Sequence, residues 1–166
     1  MKSKPMFLKC VAVLLLSFCS ILPNAQARDQ LSRIPDMEGW KLKNEMFQEF
    51  SAPSGNYGTW HQRVFADPSE RAVVVNLLSG EGPGKLYLPT GPVSHDDRPI
   101  GFGATYETIQ IEGFQGILEY YPYAGYALAI SLPEISTLCV ESKALSKEQL
   151  FSFTQTLIRR ILSSQK

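Results

Sequence analysis

Cysteine, histidine and basic clusters are scarce in this chain of 166 residues, and each shortage excludes something. Of the three cysteines, Cys10 and Cys19 fall in the amino-terminal apolar run. Cys139 is left alone, so an intramolecular disulfide is excluded downstream and stability must come from a core. No Lys/Arg cluster supplies the phosphate-neutralising footprint that nucleic acid binding requires. The only long apolar run, 10–22, is shorter than the roughly 20 residues of a membrane span and ends at Pro23.

What is present begins with that run. Lys2, Lys4 and Lys9 precede it without an acidic residue, and Ala25-Gln26-Ala27 follows with the small-x-small pattern that signal peptidases accept. The expectation is a signal peptide over residues 1–27, cleaved after Ala27, and a single domain over 28–166, with no stable membrane span after cleavage. A lipid on Cys19 is disfavoured, because the bulky Phe18 stands where lipoprotein signals carry a small residue. Removal of the signal leaves 13 basic and 16 acidic residues, a net charge of −3. About 139 residues suffice for one core without cross-links.

Along the remaining chain, Arg28–Pro35 reads as a short helix or an extended lead-in, and Trp40–Phe50 as a strand with an alternative helical spacing. Turn chemistry at 51–56 and 67–70 brackets the aromatic, β-branched run Tyr57–Phe65. Ala72–Leu78 is apolar at both alternations and predicts a strand covered on both sides at the sheet centre. Between Ser79 and Gly103, Gly, Pro and Asp dominate, which predicts a long irregular connection with one short strand at Lys85–Leu88. Period-two segments then follow one another from Thr108 to Glu141 with short interruptions, as in an antiparallel meander.

The last element has the clearest signature. Ser146 with Gln149 three residues on forms a capping box, flanked by Leu145 and Leu150 at the staple positions. Leu150, Phe153, Leu157 and Ile161 give the helix one apolar line, to be laid on the sheet. The expected fold class is α+β: a single antiparallel, meander-type sheet packed by a carboxy-terminal amphipathic helix.

This order of elements resembles the Mog1/PsbP-like exported domains. Ile111-Glu112-Gly113-Phe114-Gln115-Gly116 and Leu145-Ser146-Lys147-Glu148-Gln149-Leu150 also make residues 109–157 similar to uncharacterised extracytoplasmic domains associated with anti-sigma factors. Neither resemblance implies a shared catalytic set.

The search for chemistry yields few groups. No G-x-S-x-G turn is present, and Cys139 between Leu138 and Val140 reads as a core residue. Gly80-Glu81-Gly82-Pro83-Gly84 lacks the Lys-Ser/Thr and helix of a phosphate loop. His61, His95 and Asp97 are candidate ligand or metal contacts, at no recognised metal spacing. Tyr120, Tyr121, Tyr123 and Tyr126 form an aromatic group suited to contacting proteins, glycans or flat ligands, although period-two alternation must divide them between faces. The composite expectation is a periplasmic or secreted non-catalytic domain that binds a protein or envelope component. It uses no cofactor and does not bind nucleic acid. The alternative is a periplasmic carrier of a small ligand or metal.

Overall fold

Alternating burial along successive strands builds a half-covered sheet, seen in a computed structural model that describes residues 34–93 and 103–164. The described residues form seven strands: β1 (Lys41–Ala52), β2 (Gly55–Ala66), β3 (Ala72–Ser79), β4 (Thr105–Ile111), β5 (Phe114–Tyr121), β6 (Gly125–Leu132) and β7 (Ser136–Ser142). They pair antiparallel throughout, in the order β1-β2-β3-β7-β6-β5-β4. Among the described residues one helix, α1 (Lys147–Ser163), follows β7.

The α+β class and the antiparallel sheet agree with expectation, but the sheet is two meanders rather than one. β1–β3 run in sequence, the connection 80–104 carries the chain to the far edge, and β4–β7 return until β7 pairs with β3. β3 is therefore interior yet one place from the centre, which β7 holds. Only its odd residues are deeply buried: Val73, Val75 and Leu77 lie against the core, while Val74, Asn76 and Leu78 are half-buried on the opposite face. Residues 85–88 form no strand. Trp40–Phe50 resolves as strand, since β1 pairs with β2 in register from Asn44↔Val64 to Phe50↔Gly58. The short helix over 28–35 is not supported, because Ile34 and Pro35 are non-helical and the earlier residues lie outside those described. The signal segment 1–27 also lies outside them.

The covered face carries Phe65, Val73, Val75, Leu77, Leu128, Ile130, Leu138 and Val140, all at most 2% exposed. Onto it α1 lays Leu150, Phe153, Leu157, Ile158 and Ile161. Burying each such side chain contributes about 1.5–3 kcal/mol. Aromatic edges join the layers: the Phe153 ring lies 4.8 Å from Trp40 and 6.1 Å from Phe65. The capping box at Ser146 and Gln149 is formed, with both staple residues, Leu145 and Leu150, buried. Ser142 ties β7 to this entry. Its Oγ donates to the Ala72 carbonyl at 2.6 Å and accepts from the amides of Ala144 and Leu145 at 3.2 Å.

The lead-in is held by β2 and α1. The Ile34 amide donates to His61 Nδ1 at 3.0 Å, and its carbonyl accepts from Arg63 Nη1 at 2.8 Å. Arg160 reaches the Asp36 carbonyl at 2.9 Å and Glu38 at 3.2 Å.

Candidate binding surface

Strand pairing puts the other alternation of each strand on a second face, which α1 does not touch. Across its middle run Gln62, Asn76, Cys139, Ala129, Ile117 and Thr108, each opposite the next. A neighbouring row holds Val64, Val74, Glu141, Ala127, Glu119 and Tyr106 by the same pairings. Most of these residues are half-buried. An antiparallel sheet with one solvated face ordinarily turns polar side chains outward. Here Val64, Val74, Ile117, Ala127 and Ala129 give that face an apolar floor.

One end of this face is crossed by the connection after β3. Thr137 Oγ1 donates to the Gly84 carbonyl at 2.9 Å, and Thr137 is buried as a result. Farther along, the Thr108 amide donates to the Val93 carbonyl at 2.8 Å, and the Val93 amide to Thr108 Oγ1 at 2.9 Å. Between the connection and the β6–β7 turn lies a cleft of about 450 Å³, lined by Glu81, Gly84, Lys85, Leu86, Ser131, Leu132 and Ile135. The approach at this end is close. A Cβ on Gly84 would lie 1.9 Å from the Ile135 carbonyl oxygen, so only glycine fits.

A polar network organises the β2–β3 side of the open face. Asn76 Oδ1 accepts from Trp60 Nε1 at 2.9 Å and from Gln62 Nε2 at 2.8 Å, while Asn76 Nδ2 faces Glu141 at 3.4 Å. The network holds the indole edge on the sheet. Sequence reading passed over these residues, although their common alternation on adjacent strands was the available signal. Cys139 lies in the same row as Asn76. Burial, with Glu141 and Glu119 adding to it, pushes its thiol up to about 11, so it stays protonated and weakly nucleophilic at neutral pH.

The four tyrosines are divided three ways, as the alternation requires. Tyr120 and Tyr126 pair on the helix side with ring centroids 4.8 Å apart. They line a cleft of about 240 Å³ with Thr105, Glu107, Leu118 and Lys147, in which Lys147 and Glu107 form an ion pair. Tyr121 is on the open face, where its hydroxyl donates to Glu119 at 3.2 Å. Burial and the adjacent carboxylate both raise its pKa. Tyr123 stands at the β5–β6 turn, 86% exposed.

His61 is buried beneath the lead-in, on the covered face. Its Nδ1 accepts from Ile34, and its Nε2 lies 2.8 Å from Glu45 Oε1. With Nδ1 accepting, the proton between His61 and Glu45 resides on Nε2. His95 and Asp97 lie outside the described residues. Among those described, no group of three or more His, Cys, Asp or Glu side chains could hold a metal ion, and no helix is long and apolar enough to cross a membrane. Comparison with family models, curated proteins and solved structures finds no match to this chain.

Proposed function

We propose that this chain is an exported, non-catalytic binding domain whose open sheet face receives a protein or an envelope component in the periplasm or outside the cell. The observation that carries the reading is the apolar floor of that face, from Val64 and Val74 to Ala127, Ala129 and Ile117, left half-exposed beside the Trp60–Asn76 network. Apolar surface rimmed by polar groups is a recurring mark of interaction sites. Tyr121 and the exposed Tyr123 extend the surface at its β5–β6 end. The protonated Cys139 thiol fits a binding role better than a nucleophilic one.

Cross-linking in intact cells tests this reading. Ala129→Arg should abolish a partner cross-linked to the wild-type chain and leave the melting temperature within a few degrees. Retention of the same partner at wild-type yield would refute the assignment of the face.

A second reading, a small-ligand carrier, is supported by the cleft between the connection and the β6–β7 turn. Native mass spectrometry of gently purified protein separates the two. Excess mass lost on denaturation, and diminished by Leu86→Arg, would favour the carrier.

A further inference from the structure

At one end of the sheet the covered face changes from apolar side chains to a row of hydroxyls. Thr59, Ser79 and Ser136 stand opposite one another on β2, β3 and β7, two positions beyond His61, Leu77 and Leu138 on the same alternation. Ser79 Oγ and Ser136 Oγ are 3.0 Å apart. The Thr59 hydroxyl is buried with no hydrogen-bond partner among the described residues, a polar demand that folded chains seldom leave open. These residues form one wall of a cleft of about 590 Å³, within the roughly 300–1,000 Å³ of small-ligand sites. The β1–β2 hairpin tip, the turn after β3 and the β6–β7 turn enclose it.

The three segments are locked together. The Gly80 amide donates to the Ile135 carbonyl at 3.0 Å. A Cβ on Gly58 would lie 2.0 Å from the Ser79 carbonyl oxygen, and one on Gly80 2.4 Å from that of Tyr57, so the hairpin tip rests directly on the backbone after β3. Tyr57, half-exposed in the cleft, has its hydroxyl 2.5 Å from Ser54 Oγ, which holds the ring in place. Asn56 Oδ1 accepts from the Gly58 amide at 2.8 Å, leaving Asn56 Nδ2 as a donor. Glu81 and Glu134 add two carboxylates with no ion-pair partner among the described residues. No Lys, Arg or His among those residues lines the cleft.

We propose that this cleft binds a neutral saccharide. Its lining combines carboxylates that only accept, hydroxyls that donate and accept, an amide donor and one pinned aromatic ring. Neighbouring sugar hydroxyls supply donors and acceptors side by side, and the apolar C–H face of a pyranose can lie on the Tyr57 ring. An anion is repelled by two carboxylates that no cation offsets. A bare calcium ion takes about six to eight oxygen ligands, whereas the described residues hold no group of three or more acidic, His or Cys side chains that could bind a metal. The site lies at the end of the helix side of the sheet, opposite the apolar floor assigned to a partner above, and stands independently of that assignment.

Amide NMR of the purified full chain, titrated with maltotriose, cellotriose and chitotriose at millimolar concentration, tests the site. At least one of these neutral sugars should shift the amides of Asn56, Gly58, Glu81 and Ile135 saturably while those of Ala129 and Cys139 on the open face stay in place. Tyr57→Ala should weaken that binding by about ten-fold or more, through loss of the ring. Glu134→Gln should weaken it by about five-fold, through loss of a charged acceptor. Both positions are exposed, so the melting temperature of each variant should stay within a few degrees of the wild type. Trigalacturonate should bind more weakly than the neutral sugars. No saturable shift with any of the three, shifts confined to other residues, wild-type affinity in Tyr57→Ala, or tighter binding of trigalacturonate or of calcium alone would overturn the proposal.

Discussion

His61 and Ile34 lie 27 positions apart and meet through a buried hydrogen bond of 3.0 Å, in which the Ile34 amide donates to His61 Nδ1. Arg63, two residues along β2, takes the Ile34 carbonyl at 2.8 Å and Asp36 at 2.7 Å. Its Nε lies 3.4 Å from Glu45 without hydrogen-bond geometry, and its guanidinium sits 5.4 Å from the centre of the Phe65 ring. Both backbone groups of one residue are thus held by side chains from one strand.

His61→Ala should therefore destabilise the domain by about 2–3 kcal/mol, because a buried amide loses its acceptor and a cavity opens. Urea unfolding measures the loss. Hydrogen exchange should show the Ile34 amide exposed before the helix amides; an Ile34 amide still as protected as those of α1 would argue against the clamp.

Asp67 organises the β2–β3 turn. Its Oδ1 accepts from the amides of Ser69 and Arg71, both at 2.9 Å, and Oδ2 accepts from Arg71 Nε at 2.8 Å. The Arg71 amide, the Arg71 side chain and the Ser69 amide hold its pKa below the ordinary aspartate value against the opposing effect of burial. A depressed folded-state pKa contributes stability above the unfolded-state value, lost as pH falls through the folded one. Asp67→Asn should flatten the acid limb of stability from the ordinary aspartate range downward, as read by melting temperature against pH. A variant whose acid limb parallels the wild type would exclude this role.

The β6–β7 turn offers a paired test. Glu134 and Ile135 both have positive φ, 57° and 52°, a conformation costly for a β-branched residue. Ile135→Gly should stabilise by about 0.5–1 kcal/mol, the relief of strain exceeding the added chain entropy. Gly84→Ala, by contrast, forces a methyl against the Ile135 carbonyl and should cost about 3 kcal/mol. Thermal unfolding of both variants checks the opposite signs.

Local chemistry was legible and long-range placement was not. Ser146, Gln149, Leu145 and Leu150 carry the helix start within six residues, and Glu112-Gly113, with φ of 50° and 84°, marks the β4–β5 turn equally locally. The pairing of Val74 with Glu141 depends on where a 25-residue connection delivers β4, which no local pattern encodes. The apolar positions of β3 announced burial but not its division into a covered and an open side, because Val74 and Val75 are chemically alike. The tyrosines were separable by alternation alone. The Asn76 network escaped notice because its members belong to different strands.

The order β3-β7 at the heart of the sheet has a kinetic consequence. Pairing between residues 57 to 67 positions apart must wait for almost the whole chain, and contacts of such separation slow folding. A chain growing from its amino end holds β1–β3 as a partial sheet whose inner margin has no neighbour. Only when β7 arrives, just ahead of the helix that covers both, is that margin satisfied. The last quarter of the chain completes the first half, so loss of β7 and α1 would leave a strand-rich fragment prone to association rather than a smaller domain.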